Sequence, residues 1–214
     1  MEETRKRYYT VSQDFRWDPS DYEFMNEADV LVHTMFPGAY ITQGTHEHMF
    51  PGNIYPMCVG LPILREQPVI KVGVTKKPVD AYGLSRQFFV STRAKLLLES
   101  IDPDGFEFVE CRTIDRRGKP FEPYWMIAVD RAVEDFDRAR SNFVTYAQRQ
   151  QEIANSDDGE RRVVQLNDIY MPKGFNDSWH VFSINNVSPY IIFDEAIVDA
   201  WRLYKLDSWF FTPL

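Results

Sequence analysis

A chain of 214 residues with 44 % hydrophobic residues can build one large core or two small ones. Its formal net charge of −8 excludes a general nucleic-acid binder, which needs clustered Lys and Arg against phosphates, and suits a basic partner instead. Aromatic residues reach 15 %, more than a core alone usually takes, and aromatics are enriched on recognition surfaces. The N-terminus, MEETRKRYYTVSQDF, lacks the apolar run of a secretory signal, and no run approaches the roughly 18 residues of a membrane span. Cys58 and Cys111 stand apart without CxxC spacing, which suits reduced thiols and a cytoplasmic protein.

In chain order, RYYTVSQDF reads as a first strand with Tyr9 and Val11 on one face. Residues 18–60 show no sustained period and are broken by Pro19, Pro37, Pro51 and Pro56, so they read as a long irregular excursion. PVIKVGV is a short strand. The stretch from Phe88 to Phe108 then changes period twice. QFFV is a run of strand formers, Ser91 is a good helix N-cap, and Ala94, Leu97, Leu98 and Ile101 fall at helical spacing. DPDG ends that helix, and FEFVECRTI resumes as a strand.

DRRGKP predicts a hairpin turn with Gly118 at positive φ, and YWMIAV, nearly all apolar, predicts a central strand. EDFDRARS reads as a turn or short helix, and residues 143–153 carry both strand and helix signals. NSDDGERR is a polar loop, followed by strands in RVVQLNDIYM and HVFSINN. An offset of 103 residues then repeats the earlier rhythm. YIIF is the strand, Asp194 the N-cap, and Ile197, Ala200, Trp201 and Tyr204 the apolar stripe; WFF closes the unit. The fold expected is α+β: one mostly antiparallel sheet carrying two strand–helix–strand units, with helices Ser91–Ile101 and Asp194–Tyr204 mainly on one face. Residues 1–84 form a first strand plus the irregular excursion, in the same domain as a core over 85–214.

The chain carries no GxSxG, P-loop or GxGxxG. His46 and His48 in THEH would share one face of a strand and are the local pair with metal-ligand character, but a third ligand at a recognised spacing is missing. His180, beside Trp179, reads as a packed or hydrogen-bonded histidine. Glu134, Asp135 and Asp137 lie among Arg131, Arg138 and Arg140, the mixed charge of a salt-bridged surface or an interface rim. Asp157 and Asp158 are adjacent acids in the polar loop.

The order of these pieces resembles a bacterial family of immunity proteins, number eleven in the polymorphic-toxin immunity series. The residues that carry the resemblance are Val90-Ser91, Asp115, Gly118, Pro120, Tyr124 and Trp125, then Glu134, Phe136, Asp137 and Ser141, then His180, Phe182 and Ile184. It departs at Glu134, where the family tends to have Asp, and at Asn-Asn-Val-Ser, residues 185–188. The likeness spans residues 85–212 and, more faintly, the first strand; residues 18–60 have no counterpart. Membership would imply a cytosolic binder that occludes a cognate toxin, with no turnover and no cofactor; a basic toxin would suit the acidic chain. From the residues themselves, the interface is expected on the 18–60 excursion, the EDFDRAR segment and the 155–162 loop, with Glu134, Asp135, Asp137, Arg138, Asp157 and Asp158 facing the partner. Two competing readings are a metal-dependent enzyme using His46 and His48, and an adaptor of a toxin-delivery system.

Overall fold

A computed structural model describes residues 6–13, 21–26, 64, 66–73, 78–84, 87–145, 148, 163–184, 187 and 191–214. His46, His48, Asp157, Asp158, and most of the 18–60 excursion lie outside the described residues.

The structure corrects the expected fold class. Among the described residues there are thirteen strands and two short helices, so the fold is mostly β rather than α+β. The strands form two principal sheets and a separate hairpin. The first sheet has the order β2 (Tyr22–Phe24), β3 (Val69–Val72), β6 (Phe106–Asp115), β7 (Tyr124–Val129), β5 (Gln87–Ser91), β4 (Ala81–Leu84). The second has the order β13 (Trp209–Pro213), β1 (Tyr8–Gln13), β12 (Ile191–Asp194), β11 (Val181–Ile184), β8 (Ala132–Val133). Both are mixed, because β3 pairs parallel to β6 and β8 parallel to β11. β9 (Asn142–Thr145) and β10 (Val163–Asp168) pair antiparallel by themselves.

The two strand–helix–strand units therefore do not share one sheet. β5, helix α1 (Thr92–Ile101) and β6 belong to the first; β12, helix α2 (Glu195–Leu203) and β13 belong to the second. In each unit the two strands are parallel to one another, and a third strand fills the gap antiparallel to both: β7 between β5 and β6, β1 between β12 and β13. A strand of a split unit needs a partner on each side, and each unit takes its own, so a common sheet is not required.

The helices join the two sheets. Ala94 and Leu98 of α1, with Ile197, Val198 and Trp201 of α2, meet Phe88, Phe106 and Ile127 from the first sheet and Tyr9, Phe193 and Phe211 from the second. Trp209 stacks on Trp201 at 4.4 Å between ring centroids and touches Phe88 edge-on at 5.5 Å. The rear face of the first sheet buries Tyr22, Tyr82, Phe89, Cys111, Tyr124 and Met126 in a second core. The rear face of the second sheet packs Tyr8, Phe182 and Ile192 against the β9–β10 hairpin and Phe136.

The helical stripe holds in α1 and fails at one position in α2. Tyr204, expected inside, is 61 % exposed. The helix ends at Leu203, Lys205 turns the chain at φ 52°, and Leu206 takes the buried place instead.

Candidate partner-binding surface

Residues 134–141 leave the short edge strand β8 and run across the second sheet's rear core. Phe136 is buried and anchors the turn against Phe143, ring edge to face at 5.2 Å. The turn bonds to the strand exit after β10 in both directions: Asp137 N donates to Tyr170 O at 2.8 Å, and Tyr170 N donates to Ser141 Oγ at 2.8 Å. Within it, Arg140 N and Ser141 N donate to Asp137 O.

Side chains on this turn are held by contacts within the chain. Asp135 accepts from Phe136 N at 2.9 Å and from Arg138 Nε at 2.8 Å. The Arg138 guanidinium lies over Phe136 and Phe143, and that of Arg140 lies 4.4 Å over the Tyr170 ring. Stacked arginine with a fixed fork loses little freedom on binding, which is the property of an anchor at an interface. Glu134 is exposed at the edge of the turn. The four predicted residues Glu134, Asp135, Asp137 and Arg138 are thus brought together on one rigid turn, whereas Arg131, adjacent in sequence, turns inward to Asp102.

Sequence reasoning missed two buried polar nodes, one at each end of the helix pair. At the first, Asp80, immediately before β4, accepts from Ser91 Oγ at 2.9 Å and from Arg93 at 3.2 and 2.6 Å. Asp80 and Asp207 also exchange bonds: Asp80 N donates to Asp207 Oδ1 at 2.7 Å and Asp207 N to Asp80 Oδ2 at 3.2 Å. The hydrogen bond to Asp80 raises the Arg93 pKa. At the second, His180, immediately before β11, makes a 2.7 Å bond through Nδ1 to Asp194, which Lys6 Nζ also contacts at 2.7 Å. His180 N donates to Asp102 Oδ2 at 2.9 Å, the oxygen that Arg131 reaches at 2.7 Å. The N-cap of each helix is also tied alike: Ser91 N donates to Asp80 O, and Asp194 N to His180 O. His180 is hydrogen-bonded, as its place beside Trp179 suggests; nothing in the periodicity marks Asp80 or Asp102.

These titratable groups serve internal geometry. Cys111 is buried behind the first sheet, and burial pushes its thiol up to about 12. Tyr22, Tyr82 and Tyr124 are raised by burial in the same core. Among the described residues no group of three or more His, Cys, Asp or Glu is placed to hold a metal. Among them, too, no helix is long and apolar enough to cross a membrane.

The class defined by this architecture is a β-rich scaffold that presents pre-ordered polar turns. The immunity protein family model Imm11 matches residues 15–214, nearly the whole chain, and the protein belongs to that family. No curated protein matches the chain. The match begins well before the span carried by the residue resemblance, and it takes in β2, β3 and β4.

Proposed function

We propose that this protein neutralises a cognate antibacterial toxin in the cytoplasm by binding it and covering its working surface, without turnover or cofactor. The observation that carries this reading is membership of the immunity family over nearly the whole length. The turn at 134–138 supports a binding role, because its arginine and acids are ordered by contacts inside the chain and need no rearrangement to dock. Asp157 and Asp158, adjacent acids in the polar loop, are proposed as partner-facing on their charge alone. Residues 1–84 and 85–214 act together as one domain: β1 fills the gap in the second unit, and β3 and β4 extend the first sheet. An interface of standard size would bury about 1,600 Å² in total and draw its affinity from a few anchors.

The acidic chain fits a basic toxin surface. Glu134 is the cleanest probe of that fit, since the carboxylates of Asp135 and Asp137 also bond within the turn. Co-expression with the product of the adjacent gene should rescue growth and yield a co-purifying complex. Glu134→Lys should then weaken the complex about tenfold, mainly through the on-rate, with the melting temperature unchanged. Unchanged affinity for Glu134→Lys and for Asp135→Lys would remove this turn from the interface, and failure of rescue would remove the immunity reading.

A further inference from the structure

The tip of the β6–β7 hairpin is a rigid basic turn in an otherwise acidic molecule. Arg116, Arg117 and Lys119 are all exposed, and among the described residues none of them forms an ion pair. The one carboxylate in the turn is spent on the backbone: Asp115 Oδ1 accepts from Arg117 N at 2.7 Å and from Lys119 N at 2.9 Å. The Lys119 N–H first, and then the Arg117 N–H and the two cationic side chains, hold the Asp115 carboxyl below its ordinary value. Gly118, at φ 75°, closes the turn with its N–H on Asp115 O at 3.0 Å. The three cations are therefore displayed on a fixed backbone.

Beside this tip the chain from Pro120 to Tyr124 forms one wall of an open groove of about 570 Å³; the other wall is residues 78–80 and the first turn of α1. Pro78, Val79, Phe121 and Pro123 supply the apolar part of its lining. Arg93 at its end is already matched by Asp80, and Glu122 on its rim is the remaining acid. The groove thus carries the one net negative charge of Glu122, and the positive field comes from the turn.

We infer that the basic hairpin tip and the proline-lined groove beside it form a docking site for an acidic polypeptide segment of a partner, with its carboxylates on Arg116, Arg117 and Lys119 and an apolar side chain in the groove. The occupant is a polypeptide rather than a nucleic acid because the three cations sit on a chain of net charge −8. A long polyanion would extend beyond the tip and meet the net negative charge of the rest of the chain, which salt screens only over a Debye length of roughly 8 Å in physiological conditions. A short acidic segment ends before it does so, and the groove rewards its apolar residue. The site belongs to the first sheet, whereas the 134–138 turn lies on the second, so either can fail without the other.

The test is selection of a randomised linear peptide library, displayed on phage, against the full chain. Enriched sequences should join Asp or Glu residues to an apolar side chain. Synthetic copies should bind R116E/R117E/K119E at least tenfold more weakly than the parent, keep their affinity for R116K/R117K, and weaken as salt is raised. Should the reversed variant not fold, R116Q/R117Q gives the same comparison with a smaller loss. Enriched peptides without acidic bias, equal affinity for the charge-altered variants, or tighter binding of a single-stranded oligonucleotide near physiological salt would each overturn the assignment.

Discussion

Gly105 occupies a position with no room for a side chain. A Cβ built there would lie 2.5 Å from Val181 Cγ1 and 2.7 Å from Asp102 Cγ, closer than atoms can approach. Both neighbours are fixed: Val181 is fully buried in the shared core, and Asp102 holds Arg131 and His180 N. Gly105→Ala should therefore cost roughly 1–3 kcal/mol, the range of an overpacked core, measured by urea denaturation. Val181→Ala in the same chain should recover only part of that loss, since the Asp102 contact remains. DPDG was legible as the end of a helix. The demand for a bare Cα at its last residue was not, because the atoms it must avoid include one 76 positions away in the chain.

At the scale of elements, the two helices are capped by different chemistry in equivalent places. Ser91 Oγ accepts from Ala94 N at 3.2 Å, a partly exposed neutral cap. Asp194 is fully buried and accepts from Ala196 N at 3.0 Å while holding Lys6 and His180. Removing the first leaves one donor short, so Ser91→Ala should cost about 1 kcal/mol. Removing the second takes the countercharge from Lys6, which keeps its bonds to Asp177 O and Trp179 O, and leaves His180 beside a cavity, so Asp194→Ala should cost about 3 kcal/mol, the low end for breaking a buried charged pair. Parallel unfolding curves of the two variants check the difference, and equal losses would contradict the structural ranking. Both caps, and most residues of both stripes, were readable because capping and helical period are local properties. The sheets were not. β7 and β1 complete equivalent units, yet β7 follows its unit by a hairpin while β1 comes from the opposite end of the chain, and no local period encodes that partnership. The acidic turn at 134–138 was visible as mixed charge; its rigidity, which depends on Tyr170 and Phe143, was not.

Across the whole molecule, the rear core of the first sheet concentrates groups that must stay protonated. Tyr22 Oη accepts from Val79 N at 2.8 Å, and Tyr124 Oη donates to Val79 O at 2.6 Å. Tyr82 stacks on Tyr22 at 4.0 Å, and Cys111 lies in the same cluster. Burial raises all four above their ordinary values, with the Cys111 thiol pushed up to about 12. In the unfolded chain a thiol titrates near 8.5 and a phenol near 10. Between those values and the higher folded ones, the unfolded state binds fewer protons than the folded state, so stability falls as pH rises. The full stability is present below about pH 8.5; the thiol contribution is lost first, up to about 12, and the phenols add to the slope above about 10. Each group contributes at most about 1.4 kcal/mol per pH unit. Urea denaturation of the full chain from neutral pH upward should show a flat region, then a decline that begins near 9 and steepens past 10. Cys111→Ser should delay the onset of that decline. A stability that stays level to pH 11 would mean that these side chains are not held protonated behind the first sheet, and that this rear core is open to water.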